Sequence, residues 1–183
     1  MHIIKNIFTA FLLYLDLNLS LDKWWEIRSK ALLSGKGGKG LNISKRRYYL
    51  FTNKKGAYIP LETTFIDRPT FPHGISGIYT SMGAEIGKGC VIFQQVTIGS
   101  NTLTDSENAG SPTIGDNVYI GAGAKIIGNV KIGSNVRIGA NAVVVEDVED
   151  NCTVVLQKPR IIKKASLHHN EYFTYEELQK KVQ

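Results

Sequence analysis

An aliphatic residue recurs at every sixth position through the middle of the chain, and few backbone geometries accept that period. The series runs Ile86, Ile92 and Ile98, breaks, then resumes as Ile114, Ile120, Ile126, Ile132, Ile138 and Val144. Four residues after most of these stands a small or branched residue, as at Cys90, Val96, Val118, Ala124, Val130, Val136, Ala142 and Val148. Weaker copies extend upstream through Ile78 and Ala84 and downstream through Val154. Six matches neither the 3.6-residue period of a helix nor the two-residue period of a strand. It matches a unit of one short strand plus one turn, three of which close a triangular coil of about 18 residues. The aliphatic residue then points inward and stacks on its equivalent one coil away. Gly often follows it, and Asn precedes the branched residue in Asn117-Val118, Asn129-Val130 and Asn135-Val136. Both residues suit turns that need a left-handed backbone. Between Gly74 and Val155 there are about twelve such units, hence about four coils. The expected class is all-β, a left-handed parallel β-helix of hexapeptide repeats, with an N-terminal helical segment and a short C-terminal helix.

The break from Ile98 to Ile114 spans sixteen positions and holds the polar, Gly- and Pro-bearing segment NTLTDSENAGSP. A loop over 101–112 therefore leaves the prism. Long surface loops cost little, but loops also carry function, and a flap over an active site is expected. The chain divides into a helical, basic segment over 1–56, the β-helix domain over 57–160 and a tail over 161–183. A helix is expected around Leu21–Leu33, then a flexible SGKGGKG link and an irregular or short-stranded approach to the first coil. Thr174-Tyr175-Glu176-Glu177 has the pattern of a capping box opening a helix to about Val182.

Composition narrows the partners. With 43% hydrophobic residues the chain can bury a core without metals or disulfides. Cys90 and Cys152 make neither a disulfide framework nor a zinc motif, which suits a reducing compartment. Net charge is +6, and ten Lys/Arg lie between Lys23 and Lys55 with only Asp22 and Glu26 nearby. Such a bias fits an anionic partner, such as a lipid headgroup, a polyanionic glycan or a nucleotide phosphate, or simply a solvated surface. The longest uninterrupted apolar stretch near the N-terminus, Ala10–Leu15, falls short of the roughly 20 residues that span a bilayer, and no small-residue cleavage site follows it. Ile4, Ile7, Phe8, Phe11, Leu12 and Leu15 share one helical face. That face either docks on protein or lies in a membrane interface. The location read from this is cytoplasmic, with peripheral membrane contact left open and no nucleic-acid partner expected.

The segment HGISGIYTSMGAEIGKGCVIFQQVTIGSN, together with SPTIGDNVYIGAGAKIIGNVKIGSNVRIGANAVVVEDV, resembles the hexapeptide acyltransferases. The likeness covers roughly 57–160 and is strongest to the serine acetyltransferase branch, which includes capsule and surface-polysaccharide O-acetyltransferases. The resemblance implies a homotrimer, acetyl-CoA as acetyl donor, no metal, and a histidine before the Gly-Ile segment acting as general base. Here that residue is His73. Imidazole has the right unperturbed pKa for the task. A lone histidine is more often structural, but His2, His168 and His169 lie outside the repeat. The resemblance also implies a cofactor groove between two prisms. Ala122 follows Ile120-Gly121 and Ala140 follows Ile138-Gly139 along it, eighteen positions apart. Lys158 and Arg160 beyond the last coil would meet CoA phosphates.

The departures from that branch bear on the acceptor. Its Asp before the catalytic His is Pro72 here, its Arg-His pair after the loop is Gly110-Ser111, and its His-orienting Asp is Tyr58. A zwitterionic amino acid needs charges placed for it. The sequence therefore points to a sugar or surface-polysaccharide hydroxyl as the acceptor, with Tyr58, Asp67 and Tyr79 as substrate-binding candidates and Phe71 as a further ring to stack on. Glu62 or Asp67 stands as a substitute acid beside His73. Serine O-acetylation and a non-catalytic hexapeptide-repeat scaffold are the alternatives.

Overall fold

The computed structural model describes residues 19–33, 43–166 and 172–181. The expected helix over Ile4–Leu15, the SGKGGKG link, His2, His168 and His169 lie outside the described residues. Two helices, α1 (Leu21–Leu33) and α2 (Ile43–Lys54), precede twelve strands of two or three residues. The strands form three parallel sheets that are the faces of a left-handed prism. The first face holds β1 (Thr64–Phe65), β3 (Glu85–Ile86), β6 (Thr113–Ile114) and β9 (Lys131–Ile132). The second holds β4 (Val91–Ile92), β7 (Tyr119–Ile120), β10 (Arg137–Ile138) and β12 (Thr153–Val154). The third holds β2 (Tyr79–Thr80), β5 (Thr97–Gly99), β8 (Lys125–Ile127) and β11 (Val143–Val144). A last helix, α3 (Tyr175–Lys181), opens with the expected capping box, Thr174 and Glu177 exchanging backbone-to-side-chain bonds at 2.8 and 3.4 Å.

From β3 to β12 each strand turns one aliphatic residue inward, while the first coil uses Phe65 on β1 and Thr80 follows on β2. Ile92, Ile120 and Ile138 stack in register on the second face, as do Ile98 and Ile126 on the third, and all are fully buried. Cys90, Val96, Val118, Ala124, Val130 and Val136 fill the corners between these stacks. Burial pushes the Cys90 thiol up, so this cysteine packs the core rather than serving as a nucleophile. The turns use left-handed backbone, and where Gly is absent Asn supplies it, at Asn117, Asn135, Asn141 and Asn151.

The period is not uniform, and its three defects organise the molecule. Tyr79 pairs with Thr97, eighteen positions on, but Tyr58 pairs with Tyr79, twenty-one positions on. The three extra residues fall between Thr70 and Tyr79, where the second face turns into the third. Thr97 pairs with Lys125, twenty-eight positions on, because the loop enters between the third face and the first. Arg137 pairs with Thr153, sixteen positions on, so the same corner later loses two residues.

The approach to the first coil is not irregular, as expected, but helical: α2 pairs with α1 and closes the N-terminal end of the prism. Trp24 stacks on Tyr48 at 5.3 Å and meets Phe71 edge-on at 6.3 Å. The first coil has no coil above it to bond its carbonyls. Buried Arg28 supplies part of that partner, donating from Nη2 to Leu61 O and Thr63 O at 3.1 and 2.6 Å. Its guanidinium lies over the rings of Trp25 and Phe65. Tyr48 donates its hydroxyl to Ile59 O at 2.8 Å. No described helix is long and apolar enough to cross a membrane.

Candidate active site

His73 stands in the three-residue expansion at the corner between the second and third faces. Thr70 and Tyr79 hold its ends in the two sheets, and Phe71, Ile75 and Ile78 bury the segment's apolar side. Pro72 and His73 are left exposed on the outer rim. The imidazole Nδ1 lies 2.8 Å from Gln94 Oε1. That oxygen can only accept, so Nδ1 carries the hydrogen and Nε2 is left as the acceptor. The ring also meets Phe93 edge-on at 5.4 Å, and Phe93 in turn lies 5.1 Å from Tyr119. Two neutral contacts therefore set the orientation of the histidine, and Gln94 stands where the sequence reading looked for an acid.

Gln94 is itself held by the coil. Gln95, next to it, takes the left-handed turn position at φ 61°, which costs a non-glycine residue about 1 kcal/mol. Its N–H donates to Ser76 O, while Gly123 N–H donates to Gln94 O and Asn141 N–H to Ala122 O. This chain of backbone bonds runs down one edge of the prism. Along it lie, in order, His73, Gln94, Ala122 and Ala140. Lys158 and Arg160 lie beyond β12 and are exposed.

The small residues on this edge are small for two different reasons. A Cβ on Gly121 would come 2.7 Å from Ala140 N, and one on Gly139 would come 3.1 Å from Val154 O. Those glycines are required by the stacking of coils. Ala122 is half-exposed and Ala140 exposed, so their methyl groups face outward and leave the edge low. On the same edge the Lys125 ammonium donates to Gln95 O and Gly123 O at 2.8 and 2.9 Å.

The remaining sequence candidates lie elsewhere. Tyr58 and Tyr79 occupy neighbouring rungs of the third face, 42% and 48% exposed. Asp67 belongs to the corner between the first and second faces, where both its oxygens lie 3.2 Å from Gly89 N. There it heads a ladder in which Asp116 accepts from Lys88 N and Asp150 from Ser134 N. Asp67 is thus engaged on a different edge from His73. Glu62 is exposed and lies in sequence between Tyr58 on the third face and Thr64 on the first. The loop also emerges on that third edge rather than over its own His73. It is an ordered excursion, with Asn101 and Gly110 paired and Asn108 Nδ2 donating to Val145 O at 3.1 Å. Among the described residues no cluster of His, Cys, Asp or Glu could hold a metal ion.

Residues 111–146 match the family model described as bacterial transferase hexapeptide (six repeats). Over 95 residues the chain is 42% identical to a serine acetyltransferase of Synechococcus elongatus, covering 52% of this chain and 38% of the relative. Over 91 residues it is 43% identical to a serine acetyltransferase of Mycobacterium tuberculosis, covering 50% and 36%. The chain thus spans less than half the length of these relatives. Among solved structures, serine acetyltransferase isoform 3 of Entamoeba histolytica in complex with cysteine superimposes with a TM-score of 0.58 at 35% identity, covering 69% of this chain and 44% of that one. The Neisseria gonorrhoeae serine acetyltransferase in complex with serine gives 0.52 at 34%, covering 65% and 50%.

Proposed function

We propose that this chain, a hexapeptide-repeat acyltransferase-type protein of the serine acetyltransferase-like branch, moves an acetyl group from acetyl-CoA to a hydroxyl, with His73 as general base. The carrying observation is the 2.8 Å contact between Nδ1 of the exposed His73 and Gln94 Oε1, which leaves Nε2 as the acceptor. The thioester of acetyl-CoA supplies an acyl group already activated for attack, so no covalent enzyme intermediate is needed. His73 Nε2 takes the proton of the acceptor hydroxyl as its oxygen forms the new ester bond. The resulting imidazolium, held by Gln94, returns that proton to the departing sulfur as the thioester bond breaks. Ala122 and Ala140 keep the edge open for the pantetheine arm, and Lys158 and Arg160 face its phosphates.

The relatives support serine as the acceptor, since those named above are serine acetyltransferases. One observation favours a second reading, a sugar or surface-polysaccharide hydroxyl. Pro72, Gly110 and Ser111 cannot pair an ammonium and a carboxylate, and Gln94 and Phe93 beside His73 are neutral. The active unit is a homotrimer, because the edge carrying His73 is open and the loop stands on another edge, from which it would reach a neighbouring copy. Release of CoA thiol at fixed acetyl-CoA, followed with serine, nucleotide sugars and oligosaccharides, separates the readings. A kcat/KM tenfold or more higher for serine establishes serine; the reverse establishes the sugar. Failure to bind CoA would leave a non-catalytic scaffold. Light scattering that gives a monomer at micromolar concentration would remove the trimeric site.

A further inference from the structure

The helices at the top of the prism carry a surface that acetyl transfer does not use. From Ile27 to Leu61 the chain holds nine Lys/Arg and no Asp or Glu. One of the nine, Arg28, is buried against the first coil. Most of the others that are described belong to α2. On α2 the buried side is Tyr48, Phe51 and Thr52. At 100° per residue Ile43, Arg46, Arg47, Leu50 and Lys54 fall on the opposite side. Ile43 and Leu50 are 49% and 42% exposed on that side, and Leu32 and Leu33 are also exposed at the end of α1. Of the acids of α1, Glu26 pairs with Lys23 and Asp22 with Arg68.

We propose that the outer face of α2, with the end of α1, docks on an anionic lipid surface. Apolar side chains alternating with cations along one helical face are what a bilayer interface selects: the cations meet headgroups and the aliphatic chains enter the boundary below them. A nucleic acid would use the cations but would leave Ile43 and Leu50 in water. The inference does not depend on which acceptor is acetylated, or on acetyl transfer itself.

The test is co-sedimentation of the full chain with vesicles of phosphatidylcholine alone and of phosphatidylcholine with phosphatidylglycerol. Partition into the anionic vesicles is expected, falling as salt rises. Arg46→Glu is expected to lower it about tenfold, as is the pair Ile43→Ser and Leu50→Ser. Both variants are expected to keep the wild-type melting temperature, since the three side chains are exposed. Equal binding to neutral vesicles, or wild-type binding by both variants, overturns the proposal and moves any membrane contact to another segment. Tighter binding to duplex DNA than to anionic vesicles at the same salt also overturns it. So does concentration-dependent self-association that both variants abolish without any vesicle effect, which would make the face a contact between copies.

Discussion

Two corners of the same prism break the six-residue period in opposite styles. Where the second face turns into the third, three residues are added once and the edge below runs on without interruption. Where the third face turns into the first, ten residues are added, and two are later removed. The first corner stays tied to the coil beneath it by successive backbone bonds from Gln95, Gly123 and Asn141. The second reaches outward, braces itself through Asn101 and Ser106, and is tied back through Asn108, once by its side chain to Val145 O and once by its backbone carbonyl, which accepts from Asn129 N–H. A small defect in a rigid edge holds one chemical group in a fixed place. A large defect builds a separate element that can serve a different site. The difference teaches that on this scaffold precision and reach are assigned to different edges.

The largest effect expected from that contrast is at the small defect. His73→Ala should lower turnover by about 10²–10⁴, the usual worth of a general base, with CoA affinity unchanged by calorimetry. Wild-type turnover in this variant would take His73 out of the mechanism and leave the three-residue expansion without a chemical role.

Next comes the edge below it, where neighbouring positions should respond differently. Ala122→Trp should abolish measurable CoA binding while leaving the melting temperature near wild type, since its side chain faces outward. Gly121→Ala should do the reverse. Its Cβ would press within 2.7 Å of Ala140 N, costing about 1–3 kcal/mol of stability in a denaturation experiment. Equal effects of the two on CoA binding would mean that the edge is a packing feature only.

Gln94 shows what was legible in the sequence and what was not. The repeat could be read because inward residues must be apolar at every coil, so the core announces itself six residues at a time. The faces, and the trace of the loop, followed from counting. The three-residue expansion could not be read, because Pro72, Gly74 and Gly77 look like ordinary turn residues of a hexapeptide. Helix α2 was missed because only Tyr48, Phe51 and Thr52 of its twelve residues are buried, too few to give a helical period beside so many cations. Gln94 was missed because an amide carries no chemical signal in a sequence and an acid was being sought. The structure pairs it with His73, and that pairing makes a distinctive prediction. Gln94→Leu should lower kcat about tenfold, one hydrogen bond's worth, with little change in KM. Gln94→Glu should place a carboxylate beside the imidazole, which favours the protonated ring. The histidine's pKa then rises, more of it is protonated at a given pH, and the rising limb of the pH–rate profile moves to higher pH. An unmoved limb would show that Gln94 does not touch the working base.

The smallest effect is expected at the large defect. Asn108 sits in the loop, yet its Nδ2 donates at 3.1 Å to Val145 O, thirty-seven positions on, and Asn129 N–H donates to Asn108 O at 3.2 Å. It therefore links the ten-residue insertion to the later coil that has lost two residues. Val145 follows β11, the last rung of the third face, and the loop supplies its carbonyl with a donor. Asn108→Ala removes the side-chain bond but keeps the backbone one. Because the site is partly exposed, water replaces much of what is lost, and the cost should be about 1 kcal/mol. For a chain of this size that lowers the melting temperature by about 2–4 °C. CoA affinity should not change, since the Asn101–Gly110 pairing that shapes the loop for its reach to a neighbouring copy is untouched. A larger loss of stability would mean that the loop is as tightly built into the prism as the His73 edge. A loss of CoA affinity would mean that this one side-chain bond sets where the loop meets the groove of the neighbouring copy.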